Sequence, residues 1–291
     1  ANGHGDGTTW DEANCDINAA VKLNTLTSRD IWMKEGTYYG DTTDSYAYRF
    51  NNCATILGGF AGTETTANQR NAKNHPVVFD GQGRRGILYS RINYSGNRQL
   101  KICDISMTNG YSEKGSVIDL SGDIAVNRVA VSNCQSDSGR IISMSDCRLV
   151  ATTFEGNRAP VVCQLNDAII RQSLIANNDA DAVRLDGRSR VVNCDIVSNR
   201  GIGAKFNYAK NSFVNNIVWN NDTNLSINAE LNDTAFRHNA IEGDTVIADS
   251  INICLRSDNE SSHGPRFIRP STLRGIEGLD GNADWHLNHR S

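Results

Sequence analysis

The sequence predicts an all-β fold, a single-chain right-handed parallel β-helix with about 20 to 24 residues per turn. Three observations predict it: an apolar residue that recurs with a following Asn or Gly, a second series of short alternating segments, and a composition rich in Gly and Asn. We expect one domain over residues 1–291, with an N-terminal cap at 1–30, β-helix turns at 31–253 and a closing segment at 254–291.

The first series defines the repeat. Its apolar positions are Met107, Val131, Phe154, Leu174, Ile196, Ile217 and Ile241. Because a lone turn cannot bury its apolar face, we expect the turns to stack and these side chains to lie inside the stack. The Asn side chains near the strand ends are expected to form a hydrogen-bonded ladder along the stack through Asn157, Asn177, Asn199 and Asn220.

The second series lies about ten residues later in each repeat and alternates with a period of two, which predicts a strand with one buried face. Its expected inward pairs are Ile118/Leu120, Ile142/Met144, Cys163/Leu165, Val183/Leu185, Ala204/Phe206 and Leu225/Ile227. A leucine-rich horseshoe is the main alternative, but its Leu-x-x-Leu-x-Leu spacing is absent from the sequence.

A capping helix is expected near the N-terminus, because an open solenoid end would expose the core. Thr9 is its predicted N-cap, with Glu12 three residues later. Apolar residues follow at helical spacing, and among them are Trp10, Ile17 and Val21. The segment "IWMKEGTYYG" at 31–40 is then expected to be the first strand and turn.

Charge and apolar content exclude two classes of partner. The net charge of −4 argues against nonspecific binding of nucleic acid, which needs a basic face. No apolar run approaches the roughly 20 residues that span a bilayer. The chain starts at Ala1 without an initiator Met or an apolar targeting segment, so we expect a secreted or outer-surface protein whose signal has been removed.

The eight cysteines show no spacing typical of a metal site. The central five, Cys103, Cys134, Cys147, Cys163 and Cys194, are expected to be buried thiols, and the pairing of Cys15 and Cys53 is left open. No cofactor is expected. Acid-amide loops at 177–181 and 220–224 leave Ca²⁺ as the one alternative, through oxygen ligands.

Both ends of the chain carry segments with a familiar pattern. These are "GDGTTWDEAN" (5–14), "IWMKEGTYYG" (31–40) and "ILGGFAGTETTANQRN" (56–71), with "GPRFIRPS" (264–271) and "GLDGNADWHL" (278–287) near the other end. They resemble secreted, surface-associated parallel β-helix proteins of Bacteroidetes-type bacteria in the pectin-lyase-like fold group. That group includes polysaccharide lyases, glycoside hydrolases and adhesins, so the resemblance implies an architecture and an extracellular location, and it carries no catalytic residue over to this chain.

The outward positions of the second series predict a polar strip, because equivalent residues of stacked strands form rows about 4.8 Å apart. One row contains Asp119, Ser143, Gln164, Arg184, Lys205 and Ser226, and the other contains Ser121, Ser145, Asn166, Asp186, Asn207 and Asn228. Such a strip suits an extended sugar chain. Gln164, Asp186, Asn207 and Asn228 are the residues expected to bind sugar.

Arg184 and Lys205 are the candidate catalytic pair. In lyase chemistry on uronic acids, Arg184 would neutralise the substrate carboxylate and Lys205 would remove the neighbouring proton. The alternative is purely structural, with Asp186 compensating both cations on a solvated face. A hydrolase needs two carboxylates about 5 to 10 Å apart, and only Asp186 lies near the centre of the strip.

The sequence thus favours an extracellular or cell-surface monomer that binds a polysaccharide or surface glycan, or serves as a scaffold, and it leaves open whether the protein is an enzyme. A lyase or hydrolase of acidic polysaccharide is one alternative. An adhesin-like module that recognises protein is the other.

Overall fold

The computed structural model describes residues 5–14, 16–24, 29–93, 99–208, 210–228, 236–243, 252–279 and 283–288. Over this part the chain winds into a parallel β-solenoid of about nine turns, with three parallel sheets running along its length. The predicted parallel β-helix is therefore confirmed. A leucine-rich horseshoe would have one strand per repeat, whereas a turn of this solenoid contributes a strand to each of three sheets.

The sheets are numbered in the order in which the chain enters them. Sheet 1 has nine strands, Asp30–Lys34, Thr55–Phe60, Leu100–Cys103, Ile124–Asn127, Arg148–Val150, Ile169–Arg171, Arg190–Val192, Ser212–Val214 and Phe236–Arg237. Sheet 2 has ten, Gly36–Tyr38, Val77–Asp80, Ser106–Thr108, Ala130–Ser132, Thr153–Glu155, Leu174–Ala176, Asp195–Val197, Ile217–Trp219, Ala240–Glu242 and Ile253–Leu255. Sheet 3 has eight in its main path, Tyr46–Arg49, Gly86–Ile92, Ser116–Gly122, Arg140–Ser145, Arg158–Asn166, Asp179–Asp186, Ile202–Phe206 and Thr223–Ile227, with Tyr111–Ser112 and Gln135–Ser136 beside it.

Few elements lie outside these sheets. They are the α-helix Ile17–Asn24, the 3₁₀ helices Ala67–Gln69 and Gly275–Gly278, and the antiparallel strands Phe267–Arg269 and Asp284–Leu287.

The core is a set of apolar columns, in which equivalent inward residues of successive turns stack on one another. On sheet 3 the predicted inward pairs from Ile118/Leu120 to Ala204/Phe206 are all buried. At the last strand Leu225 is half-buried, and Ile227 is 39% exposed. The alternation therefore predicted the buried face of sheet 3, except at the end of the sheet.

On sheet 2 two predicted core positions were wrong by one residue. The buried column contains Met107, Val131, Phe154, Ile175, Ile196, Val218 and Ile241. Leu174 and Ile217 point to the other side of the sheet, where they pack against a second apolar cluster. Both faces of sheet 2 are apolar at these turns, so the sequence pattern could not distinguish inward from outward.

The corner between sheets 2 and 3 holds the predicted Asn ladder with a corrected register. Its members are Asn157, Asn178, Asn199 and Asn221, each fully or almost fully buried. In each of the first three, the backbone N–H and the side-chain Nδ2 donate to the Oδ1 of the next, over 2.9–3.1 Å. The predicted Asn177 and Asn220 instead occupy the preceding position, where φ is 54° and 56° and the left-handed conformation turns the chain.

The N-terminal cap is a shorter helix than predicted, beginning at Ile17. Asp16 caps it, because its Oδ1 accepts the N–H of Ala19 at 3.1 Å. Thr9 accepts the N–H of Glu12 at 3.2 Å, but it does so in a turn outside the helix. Ile17 and Val21 are buried against the first turns, as expected for a cap.

The C-terminal part packs along the outside of the solenoid. The strap, residues 271–279, runs back across the corner between sheets 2 and 3: Arg274 Nε donates to the carbonyl of Asn220 at 2.8 Å, and the Gly275 N–H donates to the carbonyl of Ser198 at 2.8 Å. The antiparallel pair that flanks the strap covers the outer face of sheet 2. Its apolar cluster contains Ala176, Val197, Trp219, Leu255, Phe267 and Trp285.

The central five cysteines are buried free thiols, as predicted. Burial raises the pKa of Cys134, Cys147 and Cys194 to about 12 and raises that of Cys163 well above its usual value. Cys15 lies outside the described residues, and Cys53 is half-buried against the core.

Candidate functional site

The outward face of sheet 3 carries the predicted polar rows in the predicted register. The first row is longer than expected and contains Arg49, Tyr89, Asp119, Ser143, Gln164, Arg184, Lys205 and Ser226. The second contains Arg91, Ser121, Ser145, Asn166 and Asp186. Asn207 and Asn228 continue the second row just beyond the strands, since their N–H groups donate to the carbonyls of Leu185 and Phe206. We call these two rows together the strip.

Arg184 lies in the middle of the strip and is held from its own strand. Its Nη2 is 3.7 Å from Asp181 Oδ2, and 32% of its side chain is exposed. Asp181 is fixed in turn, because its Oδ1 accepts the N–H of Ile202 at 2.9 Å. The Nε atom of Arg184 is buried without a hydrogen-bond partner. The guanidinium is thus anchored at one edge, and because Nε is buried, any donor that it offers on the strip is on the Nη atoms.

Asp186 is bracketed by two amides rather than by the two cations. Gln164 Nε2 donates to Asp186 Oδ2, and Asn207 Nδ2 donates to Asp186 Oδ1 at 2.8 Å. Asn228 extends this chain toward Asn207 Oδ1 at 3.4 Å. Within the described part of the chain the carboxylate paired with Arg184 is Asp181 and not Asp186, so the structural alternative for this cation rests on Asp181.

Lys205 lies directly beside Arg184 in the register and is half-buried. Within the described ranges its ammonium group takes part in no hydrogen bond or ion pair, whereas Arg184 has Asp181. A partly desolvated cation with three open donors on a polar face is suited to bind carboxylate or hydroxyl oxygens.

At the N-terminal end of the strip, the charged side chains are already paired with other groups of the protein. The guanidinium groups of Arg49 and Arg91 lie over the ring of Tyr89, at 4.7 and 4.6 Å from its centroid. Arg49 pairs with Asp44, and Arg91 Nη2 lies 2.9 Å from Asp119 Oδ2. Hydrogen bonds from Arg49 hold the pKa of Asp44 far below its usual value. The open part of the strip is therefore its C-terminal half, from Gln164 to Asn228.

The sequence did not point to Arg49, Tyr89 and Arg91 as members of the strip. The first turns are interrupted by long loops, so that successive sheet 2 strands begin at Gly36, Val77 and Ser106. The period of 20 to 24 residues begins only at Ser106. The period therefore could not predict which residues before Ser106 belong to the rows of the strip.

The carboxylates of the two loops that were candidates for Ca²⁺ form ion pairs with arginines. Asp179 pairs with Arg158 at 3.4 Å and with Arg200 at 3.8 Å, and Asp222 pairs with Arg274 at 3.2 Å. The residues that the structure describes contain no group of three or more His, Cys, Asp or Glu side chains able to hold a metal ion.

A polar cleft of about 450 Å³ opens at the corner between sheets 2 and 3 in the N-terminal turns. It is lined by Asp80, Gln82, Gly83, Asn109, Gly110, Tyr111, Asn133 and Gln135. Asp80 is the one carboxylate among these lining residues, and it accepts from the Gln82 N–H and the Asn109 amide. The cleft lining therefore does not supply the carboxylate pair that a glycoside hydrolase uses.

No family model, curated protein sequence or solved structure matches the chain. The described residues contain no helix with the length and apolar content to cross a bilayer.

Proposed function

We propose that this protein binds a glycan along the open part of the strip, from Gln164 to Asn228. The observation that carries the proposal is the register of sheet 3. It places amide, carboxylate and cationic groups on successive strands of one face, about 4.8 Å apart. An extended sugar chain lying across the strands presents hydroxyl groups at a comparable spacing to donors and acceptors that are already oriented.

The roles of the individual residues follow from their hydrogen bonds. Asp186 is oriented by two amides and keeps lone pairs free for sugar hydroxyl groups. Lys205 offers open donors, whereas the Nε of Arg184 is buried, so Arg184 contributes only through its Nη groups. These cations favour a glycan with carboxylate groups. Gln164, Asn207 and Asn228 complete the set as positioning amides.

A glycan array tests this proposal. We expect the parent protein to bind one or more glycans, with uronate-containing chains among them. Lys205→Ala should weaken binding about fivefold, and Asp186→Ala by a similar factor, because each removes about 1 kcal/mol of polar contact. Lys114→Ala is the matched control, since Lys114 is 83% exposed and lies away from the open part of the strip. The proposal fails if no glycan binds or if the strip variants bind as well as Lys114→Ala.

A lyase is the second candidate, and the adjacency of Arg184 and Lys205 favours it. Arg184 would pair with the uronate carboxylate, and Lys205, unpaired in the described part of the chain, would act as the neutral amine and take the proton at C5. The electron pair of that C–H bond would form the C4–C5 double bond while the C4–O glycosidic bond breaks, and the leaving sugar oxygen would take up a proton. Incubation with a panel of uronate polymers, followed by the ultraviolet absorbance of the unsaturated product, separates the two candidates. A signal that disappears in Lys205→Ala supports the lyase. If a polymer binds tightly and gives no absorbance signal, the protein binds the glycan without cleaving it.

The cellular context is also part of the proposal. The segments at 5–14, 31–40 and 264–271 support placement among the secreted or cell-surface β-helix proteins of the pectin-lyase-like group, of Bacteroidetes type. In that setting the protein acts as a glycan-binding or scaffolding module, and an adhesin-like role toward protein is the alternative. Tyr208, exposed next to Asn207, and Ile227, exposed where the inward column of sheet 3 ends, are the apolar residues that such a protein partner would use.

A further inference from the structure

The outward face of sheet 1 concentrates positive charge on a chain whose net charge is −4. Its exposed cations are Lys101, Arg148, Arg171, Arg190 and Arg237, and we call these residues together the basic face. Arg148, Arg171 and Arg190 lie on three successive strands, because Arg148 pairs in register with Ile169, and Ile169 with Arg190. The three arginines therefore alternate between the two outward rows at strand spacing.

Most of these cations have no counter-ion among the residues that the structure describes. Arg148 pairs with Asp123 at 3.1 Å. In the described ranges, the side chains of Lys101, Arg171, Arg190 and Arg237 form no ion pair or hydrogen bond. The outward positions of the described strands from Leu100 to Arg237 contain no carboxylate.

The edges of the basic face are mixed in charge. At the corner between sheets 3 and 1, Asp146 and Asp167 border the middle turns, while Arg188 and Lys210 border the C-terminal turns. At the opposite corner Asp104 pairs with Arg128 at 2.7 Å and with Arg70 at 3.1 Å. From Arg171 onward, basic residues therefore occupy both the face and its edge toward sheet 3.

The residues between the cations indicate the kind of polyanion that fits. The intervening outward positions include Val150, Val192 and Val214, and none of the outward positions from Leu100 to Arg237 is aromatic. Stacking platforms for nucleic-acid bases are therefore missing from this described surface, and a flat sheet has no element to insert into a duplex groove. Guanidinium groups at regular spacing suit carboxylate or sulfate groups repeated along a linear chain.

We propose that the basic face binds a linear acidic polysaccharide, with carboxylate or sulfate groups that pair with Arg171 and Arg190 and with Lys101 and Arg237 beyond them. This surface uses a different sheet from the strip, so it does not depend on the function proposed for Lys205 and Asp186. One molecule then carries two glycan-binding surfaces on different sides of the solenoid.

Titration calorimetry with polygalacturonate and chondroitin sulfate tests the proposal, with dextran as the neutral probe. Arg171→Ser/Arg190→Ser removes two cations from the basic face. Arg84→Ser/Lys114→Ser is the matched control, because it changes the net charge equally at exposed positions elsewhere. Circular dichroism and the thermal midpoint establish that both variants are folded.

We expect the acidic polymers to bind, and dextran not to bind this face. The Arg171/Arg190 double variant should bind roughly tenfold more weakly, with a log–log salt slope smaller by about two. The control double variant should retain this binding, and the Arg171/Arg190 pair should cost the same factor in a Lys205→Ala background, where the strip contributes less. A loss in Lys205→Ala with none in the Arg171/Arg190 variant would move the polysaccharide to the strip and overturn the present proposal while leaving the strip proposal intact.

Three other results would overturn it as well. The first is that neither acidic polymer binds. The second is that the control variant loses as much affinity as the Arg171/Arg190 variant, which would mean that net charge alone acts. The third is that duplex DNA, or vesicles containing phosphatidylserine, bind through Arg171 and Arg190 more tightly than the acidic polysaccharides do. That result would assign the basic face to another class of partner.

Discussion

Asn178 carries an unusually large number of buried hydrogen bonds for one side chain. Its Oδ1 accepts from the N–H and the Nδ2 of Asn157, and its Nδ2 donates to the carbonyls of Phe154 and Ala176 and to Asn199 Oδ1. All of these groups are in the interior, where an unmade hydrogen bond costs the full desolvation of the group. The ladder therefore fixes how one turn sits on the next.

The neighbouring pair Asn177 and Asn178 allows a matched test of this role. Asn178→Gly should lower the free energy of unfolding by at least about 3 kcal/mol, because several buried donors and acceptors lose their partner. Asn177→Gly should lower it by about 1 kcal/mol or less, since glycine accepts the φ of 54° and one hydrogen bond, to Glu155, is lost. Urea unfolding measures both. Equal losses in the two variants would contradict the ladder register.

Where two adjacent residues are of the same chemical type, the sequence could not predict which of them points into the core. At 177–178 and 220–221 the sequence reads Asn-Asn, and at 174–175 and 217–218 it reads Leu-Ile and Ile-Val. Composition cannot decide which member of each pair points inward, because a shift of one residue exchanges the faces. At Asn199, which lies between Ser198 and Arg200, the prediction was right.

At the scale of elements, the C-terminal segments explain the apolar outer face of sheet 2. Leu174 and Ile217 pack against the cluster that contains Phe267 and Trp285. Asp195 lies between them in the register and is covered by the same segments. Burial raises the pKa of Asp195 to about 6, and the nearby His286 only partly offsets this.

Asp195 predicts a pH dependence of stability. The pKa of Asp195 is about 6 in the folded state, above its ordinary value near 4 in the unfolded chain. Between about pH 4 and pH 6 the folded protein therefore keeps a proton on Asp195 that the unfolded chain has already lost. The group therefore costs little below pH 4 and destabilises the fold by up to roughly 2 kcal/mol above pH 6. Asp195→Asn should raise the free energy of unfolding at pH 7.5 and leave it nearly unchanged at pH 4. Urea titrations at the two pH values measure this, and an equal effect at both would refute it.

The strap predicts a second element-scale effect, at Gly275. Its φ is +63°, and a Cβ there would lie 2.0 Å from Asp179 Oδ1, the oxygen that accepts the N–H of Ile276. Gly275→Ala should therefore cost more than about 2 kcal/mol and expose the strap to proteolysis. Gly83→Ala is the matched control, because Gly83 has φ +64° with open space around it, so it should cost only about 1 kcal/mol. Similar costs at the two sites would show that the strap does not pack tightly at Gly275.

At the scale of the whole molecule, the solenoid turns a repeated sequence into long, flat, chemically distinct faces. Sheet 3 presents the strip, sheet 1 the basic face, and sheet 2 is covered by the C-terminal segments in its later turns. The architecture and the strip could be predicted, because stacking gives each outward position of the repeat one defined place in a row. The basic face was not predicted, because its strands are only three or four residues long in most turns and alternate too briefly to be recognised.

Chemical footprinting of lysines is a direct test of whether the strip binds a glycan. The protein is acetylated with and without a saturating polygalacturonate oligomer, and modification is read by mass spectrometry at Lys205, at Lys101 on the basic face and at Lys114, which lies outside both surfaces. We expect the oligomer to protect Lys205 and to leave the modification of Lys114 unchanged. Equal modification of Lys205 with and without a bound oligomer would contradict it.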